Sequence, residues 1–151
     1  MSGPRIAAID VGTGTQDIQI FEAGTVIETA VQLVMPSPTV LLANRVKQAT
    51  ADAVDLFLSG VTMGGGPGAW AIEAHLKAGH RVLATPDAAR TFDDDLPRVE
   101  AMGIQVVEGR APACARQIEL RDFYFPARMD ALRTFGSPTG HEAVAVAVVT
   151  H

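Results

Sequence analysis

The hydrophobic pattern of this chain changes period once, near Pro36, and that change limits the folds open to it. Before it, three segments at residues 5–11, 17–24 and 25–34 are apolar, alternating or rich in β-branched residues, as strands are. After it, apolar residues recur at helical spacing over 39–54, and strand and helix patterns then alternate. The chain therefore predicts a three-strand antiparallel meander followed by an α-β-α-β-α-β region with parallel strands.

Glycine and proline residues divide the second region into elements. Ser37 before Pro38 predicts a helix N-cap, and Gly79 predicts a helix C-terminal cap. Strands are predicted at 55–63, 81–86 and 104–109, and further helices at 69–80 and 95–102. Beyond residue 110 the pattern is weaker and favours a strand at 117–123, a helix at 126–136 and a fully buried strand at 142–151. We expect one α/β domain over 1–151, with a single mixed sheet and helices on both faces.

Composition excludes several functional classes. Cys114 is the only cysteine, so the chain has no internal disulfide and no cysteine cluster for zinc or iron. A net charge of −5 with scattered basic residues argues against a nucleic-acid partner. No apolar run reaches the ~20 residues of a membrane span, and the N-terminus MSGPRIAAID lacks the apolar stretch of a signal peptide. We therefore expect a cytoplasmic protein with no membrane partner.

The first hairpin, IDVGTGTQDI at residues 9–18, has the residue types of a phosphate-binding loop. Glycine lets backbone N–H groups approach a ligand closely, and threonine hydroxyls add donors. The expected ligand contacts are Gly12, Thr13, Gly14, Thr15 and Gln16. Asp10 ends the first strand and suits Mg²⁺, and Asp17 faces the same ligand if the hairpin folds over it. An ordinary tight turn, with the aspartates bonding the turn itself, explains the same residues, so both interpretations stay open.

A second glycine cluster, GVTMGGGPGA at residues 60–69, lies between a predicted strand and a predicted helix. Ligands of open α/β sheets bind at strand carboxyl ends and near helix N-termini, which makes Gly64, Gly65 and Gly66 candidate contacts. If strands 5–11 and 55–63 are parallel neighbours, both glycine loops open on one edge of the sheet. The three glycines also suit a tight turn against the sheet without any ligand.

Several other candidates have ordinary structural explanations. His75 and His80 lie about 140° apart around a continuous helix, which argues against a metal pair. Asp93 and Asp94 precede a helix and suit N-capping, although either could instead serve the site as a metal ligand or proton acceptor. Trp70 and the methionines are expected to pack in the core.

The meander with DVGTGT between its first two strands resembles the actin, sugar kinase and Hsp70 ATPase superfamily, which has a ribonuclease-H-like fold. More narrowly, the chain resembles an uncharacterised prokaryotic family sometimes labelled pyruvate formate-lyase activating enzyme. The motifs that carry this likeness are AIDVGTGTQDIQIFE, LVMPSPT, GVTMGGGPGAWAIEAHLKAGHRVLATPDAARTFDDDL and MGIQVVEG. They cover most of residues 5–109, and the long middle motif is the most specific.

The resemblance implies a site for ATP or another nucleotide with Mg²⁺. It assigns Asp10 to the metal and its water and makes residues 12–15 the first phosphate loop. Asp17, which opens the second strand, is the second candidate catalytic carboxylate if the hairpin folds over a ligand, and otherwise it caps the turn. Superfamily members bind nucleotide between two similar halves, and only a first half is visible here, with 110–151 suiting the start of a second. Hydrolysis or phosphoryl transfer would then need missing sequence, a partner subunit or a homodimer.

Two further expectations complete this interpretation. A radical-SAM activase needs three cysteines around an iron–sulfur cluster, so the single Cys114 argues against the activity in the family label. The alternative function is a non-enzymatic interaction or scaffold domain of the same fold. It would dock another subunit through an open sheet edge or the apolar strand near the C-terminus.

Overall fold

The computed structural model describes residues 3–136, 140 and 143–148 as an α/β structure with two separate sheets. Its described strands are β1 (Arg5–Val11), β2 (Thr15–Glu22), β3 (Val31–Pro36), β4 (Leu56–Gly60), β5 (Val82–Ala84), β6 (Ile104–Val106), β7 (Arg116–Leu120) and β8 (Ala143–Val148). Its described α-helices are α1 (Pro38–Ala51), α2 (Gly66–Lys77), α3 (Pro86–Ala89), α4 (Leu96–Ala101) and α5 (Phe125–Thr134). In these ranges no helix is both long and apolar enough to cross a membrane.

The first sheet, here called the meander sheet, has the strand order β3-β2-β1-β8. Strands β1, β2 and β3 pair antiparallel, as predicted, and β8 pairs parallel to β1. The third strand begins later than expected because Ile27–Thr29 form a 3₁₀ turn. Both the amide and the hydroxyl of Thr29 donate to the Val26 carbonyl, and these local bonds replace pairing with β2 there.

The second sheet, the parallel sheet, has the order β6-β5-β4-β7, and all its pairs are parallel. The alternating pattern therefore predicted its strands correctly, but the expectation of one continuous mixed sheet was wrong. Strand β4 lies between β5 and β7, and β1 lies between β2 and β8, so each strand has both edges occupied. The parallel neighbour of β1 is β8 rather than β4.

The helix ends follow the predicted capping residues closely. The Ser37 hydroxyl accepts the Val40 amide at 3.3 Å and caps α1. Gly79 has φ 88°, its amide donates to the Leu76 carbonyl, and the His80 amide reaches the His75 carbonyl at 3.4 Å. This paired-bond ending, a Schellman motif, folds the chain back over the end of α2.

The two sheets are covered to different extents. Helices α1 and α2 pack on each other and close over the parallel sheet, where Leu56, Leu58 and Val82 are fully buried. One face of the meander sheet is covered by Met63 and by α5, whose Met129 and Leu132 cluster with Ile20. The opposite face, which carries Ala8, Asp10 and Asp17, lines a shallow open cavity of about 440 Å³.

Strand β8 is exposed, whereas a fully buried strand was predicted for 142–151. All six described residues of β8 are exposed, including Val144, Val146 and Val148 at 37–46%. The physical reason is that β8 is an edge strand and β1 is its main packing partner among the described elements. Residue 142 and residues 149–151 lie outside the described part of the chain.

The prediction that Trp70 packs in the core was also wrong, since it is 68% exposed. Helix α2 buries the face that carries Gly68, Ala71, Ile72 and His75, and Trp70 falls on the other side. Among the methionines, Met63 and Met129 are buried as expected, whereas Met102 is more than half exposed.

Candidate functional site

The loop between β1 and β2 is a short turn closed by one backbone hydrogen bond. The Gly12 amide donates to the Thr15 carbonyl at 2.9 Å, and Asp10 pairs with Asp17 across the two strands. A side chain at Gly12 would press on the Thr15 carbonyl oxygen at 3.1 Å, whereas Gly14 faces open space. The turn therefore has structural reasons for glycine at residue 12, while residue 14 remains accessible.

Residues at the start of α1 hold this loop by donating hydrogen bonds to the carbonyl groups of the loop. The hydroxyls of Ser37 and Thr39 both donate to the Thr13 carbonyl, at 2.8 and 2.6 Å, and the Ser37 amide donates to the Gly14 carbonyl at 3.1 Å. In the described part of the chain, the amides of Thr13 and Gly14 have no acceptor. The anchored loop thus keeps two unused N–H donors. The sequence indicated Ser37 as a cap but gave no sign that Ser37 and Thr39 anchor the hairpin.

The second glycine loop leads into α2 and lies against the first. Gly65 is the N-cap of α2 with φ 76°, Gly66 follows with φ 57°, and no side chain caps the helix. A Cβ on Gly66 would lie 3.6 Å from the Thr13 Cβ and 3.8 Å from the Thr39 hydroxyl oxygen. The two loops therefore lie close together, but the basis on which this was predicted, strands 5–11 and 55–63 as parallel neighbours, was wrong, since these strands are in different sheets.

The first turn of α2 adds further unused donors. Amides at the start of an α-helix have no partner within the helix. In α2 these belong to Gly66 and Gly68, because Pro67 has no N–H. Together with the helix dipole they make this end of α2 locally positive. The meeting point of the two loops is consequently rich in backbone donors.

The two candidate carboxylates face the open side of the meander sheet. Asp10 and Asp17 are directly opposite each other on β1 and β2, and both are exposed. The Thr15 hydroxyl donates to Asp17 at 3.2 Å. Like charges in directly opposed positions repel, and a bound cation would relieve this repulsion. The described residues contain no group of three or more His, Cys, Asp or Glu side chains suited to a metal, so most ligands of such a cation would come from elsewhere.

Gln16 points the opposite way from these carboxylates. It is buried, its amide nitrogen donates to the Pro36 carbonyl at 2.8 Å, and its amide oxygen accepts from Arg128. The Arg128 guanidinium lies 4.0 Å from the centre of the Phe123 ring, and burial lowers the pKa of Arg128. Gln16, which was predicted as a ligand contact, therefore joins α5 to the end of β3.

A half-buried carboxylate that sequence reasoning missed, Asp122, fixes the second loop. One oxygen of Asp122 accepts the Thr62 hydroxyl at 2.7 Å and the Met63 amide at 2.6 Å. Asp122 follows β7, which neighbours β4. Its hydrogen bonds therefore join the segments that follow these two adjacent strands. Only long-range pairing creates it, and no local pattern marks it.

The acidic segment before α4 stabilises a turn rather than capping the helix with a side chain. Asp93 accepts the Asp95 amide at 2.9 Å and lies 3.9 Å from Arg98, whereas the N-cap of α4 is Asp95 and no side chain caps the helix. Asp93 and Asp94 also line a cleft of about 520 Å³ together with Gly64 and Arg90. The cleft adjoins the second glycine loop and is open to solvent.

The two histidines are closer than a continuous helix would allow. Their ring centres are 5.0 Å apart, because the chain reverses at Gly79 and brings His80 back over His75. The Nδ1 atom of buried His75 lies 2.7 Å from the Thr50 hydroxyl. Burial, and then His80, lower the pKa of His75. The prediction that the rings point apart was wrong, and His75 packs within the helical layer.

Comparison with known proteins identifies one family. The model of a family described as "Putative pyruvate format-lyase activating enzyme (DUF1786)" matches residues 63–151. This range includes the long middle motif from Met63 onward and also residues 110–151, which the sequence pattern assigned only weakly. No curated protein and no solved structure matches the chain. The matched range covers more than half of the residues, and the chain therefore belongs to this family.

Proposed function

We propose that this chain binds the phosphate groups of a nucleotide, or of a phosphorylated small molecule, where its two glycine loops meet. The observation that carries the proposal is the close approach of Gly66 to Thr13, where an added Cβ would meet the Thr13 side chain, beside amides that have no acceptor in the described chain. Phosphate oxygens are strong acceptors, and donors from two loops can surround them. A turn that served only the hairpin would not need a second loop of free donors.

The anchoring of the loop supports this proposal. Ser37 and Thr39 take the Thr13 carbonyl oxygen, which would otherwise repel an anion. The α2 N-terminus supplies the positive end of a helix dipole at the same place. The site therefore offers an anion both backbone N–H donors and the positive end of the α2 dipole. Asp10 and Asp17 are the negatively charged residues near it in sequence.

Those carboxylates fit Mg²⁺ as a companion of the phosphate. Mg²⁺ prefers oxygen ligands, keeps several waters and is commonly held by one or two carboxylates plus substrate phosphates. Asp10 and Asp17 would be the protein ligands, and when bound the ion would neutralise phosphate charge. The residues of the chain would position the phosphate, with Thr15 orienting Asp17.

We further propose that the fold is of the actin-like ATPase type. The meander sheet supports this, because a three-strand antiparallel meander carries a parallel strand beside its first strand. On this view β8 takes the place that was expected for β4, and the parallel sheet is inserted between α1 and β8. Catalysis would require the opposite wall of a nucleotide cleft from further sequence, a partner or a second copy.

Isothermal titration calorimetry with ATP, with and without Mg²⁺, tests the proposal directly. We expect Mg²⁺-dependent binding that Asp10→Asn weakens by about tenfold or more, since one carboxylate ligand is lost. Asp130→Asn is the matched control, because Asp130 is an exposed aspartate on α5. Binding that both variants leave unchanged, or a folded chain that binds neither ATP nor pyrophosphate, would refute this site.

One observation favours the second candidate, an interaction or scaffold domain. The valines of β8 and one whole face of the meander sheet are exposed, and exposed apolar strands invite pairing with another chain. A chain that binds no nucleotide but buries β8 against a stable partner would favour this candidate. Protection of the β8 amides from hydrogen exchange on complex formation is the corresponding measurement.

A further inference from the structure

Trp70 lies on a surface that no described part of the chain covers. It is the single tryptophan of the sequence, it sits on α2, and 68% of it is exposed. It forms a ridge between two apolar grooves. One groove, of about 420 Å³, is lined by Leu76, Phe92 and Met102 among others. The second, of about 460 Å³, runs between α1 and α2 and is lined by Thr50, Ala51 and Ala74 among others. We call this ridge and its two grooves the Trp70 face.

This surface differs from the scattered apolar residues that every protein exposes. An isolated exposed valine needs no explanation, whereas a contiguous apolar patch around an aromatic ridge marks an interaction site. Tryptophan is also enriched among the residues that carry most of the free energy of protein association. The small side chains that line the second groove, Ala51 and Ala74, leave room for a flat ring.

The shape of the Trp70 face indicates a second copy of this chain as its occupant. A twofold interface requires one patch to complement itself, and this patch carries both a protruding ring and grooves. Its charges also suit self-association. Lys47, which has no ion-pair partner among the described residues, lines one groove, and Glu73, which pairs with Lys77 within the chain, lines the other. Two copies can thus place opposite charges together although the whole chain carries −5.

We propose that the Trp70 face is a homodimer interface in which Trp70 of each copy packs into the α1–α2 groove of the other. The interface adjoins the proposed phosphate site, since Pro67 in the first turn of α2 lines its second groove, but the inference does not depend on phosphate binding. Because Trp70 is the only tryptophan, its fluorescence reports on this contact alone.

The test measures mass by sedimentation equilibrium and tryptophan emission from micromolar to millimolar chain. We expect the mass to rise from one chain toward two, with the emission maximum moving to shorter wavelength over the same concentrations. Ala74→Glu fills the groove with a charge and keeps the reporter, so this variant should stay monomeric with unshifted emission. Trp70→Ala should weaken the dimer about tenfold or more. Both positions are exposed helix positions, and circular dichroism verifies that the variants fold.

The control makes the same chemical change elsewhere. Ala127→Glu alters an exposed alanine on α5 and should leave both the mass and the emission curves unchanged. A mass of one chain at every concentration would overturn the proposal. So would a dimer that persists unchanged in both Trp70→Ala and Ala74→Glu, because its interface would then lie elsewhere.

Discussion

The two sheets of this protein differ in how completely they are enclosed. In the parallel sheet, the central strands carry Leu56, Leu58 and Val82 with no exposed surface, beneath a layer of two packed helices. In the meander sheet, one face is covered and the other holds an open cavity beside Asp10 and Asp17. The difference indicates that the two sheets have different roles. The parallel sheet supplies most of the buried apolar area, and the meander sheet presents its loop and carboxylates to solvent.

Alanine in place of two glycines should give the largest contrast between these regions. Gly60 at the end of β4 and Gly24 in the β2–β3 turn have similar φ values, 76° and 84°. A Cβ on Gly60 would overlap the Leu120 carbonyl oxygen, whereas one on Gly24 would meet nothing within 4 Å. We expect Gly60→Ala to lower the free energy of unfolding by about 3 kcal/mol or more and Gly24→Ala by about 1 kcal/mol. Urea denaturation measures both, and equal losses would contradict the proposed crowding of the parallel sheet.

Valine truncation compares the two sheets without any backbone strain. Val82 in β5 is fully buried and Val146 in β8 is 46% exposed. Val82→Ala should cost about 2 kcal/mol of unfolding free energy, from lost transfer energy and a residual cavity. Val146→Ala should cost about 0.5 kcal/mol or less, since little burial is lost. A large loss for Val146→Ala in the isolated chain would mean that β8 is covered in solution.

The pH dependence of stability should report on the smaller contribution of His75. Because burial and His80 lower the pKa of His75 in the folded state, while nearby Asp55 partly opposes them, the unfolded chain takes up a proton more readily. Stability contributed by neutral His75 is therefore present above about pH 6.5 and is lost as the pH falls toward the lowered folded pKa. His75→Asn, which does not titrate, should flatten the dependence of unfolding free energy on pH in this window. Parallel curves for the two proteins would contradict the prediction.

Local patterns predicted the helices and strands well, because the hydrophobic spacing and the capping residues of an element lie within or next to that element. The helix start at Ser37, the helix end at Gly79 and the buried strand β4 all follow from short-range chemistry. Pro67 shows the limit of such patterns. It suits the first turn of a helix, and α2 begins at Gly66, three residues before the predicted start.

The pairing of strands could not be predicted in the same way. An apolar run such as AVAVAV suits a buried strand and an edge strand equally, so the exposure of β8 depends on what packs against it. The choice of β8 over β4 as the neighbour of β1 is likewise a tertiary outcome. At the candidate site, the glycines were visible in the sequence. The hydroxyls of Ser37 and Thr39 and the carboxylate of Asp122 act only once distant segments meet.

The pairing of β1 with β8 has a consequence for how the protein is made. Ile6 pairs with Ala143, so β1, the first described strand, waits for β8, the last described one. The strands and helices of the parallel sheet lie between them and end at Leu120. During translation that unit can fold while one edge of β1 still lacks its neighbour, and contacts of such long sequence separation form slowly. The early hairpin therefore keeps one unpaired edge until residues 143–148 have been synthesised.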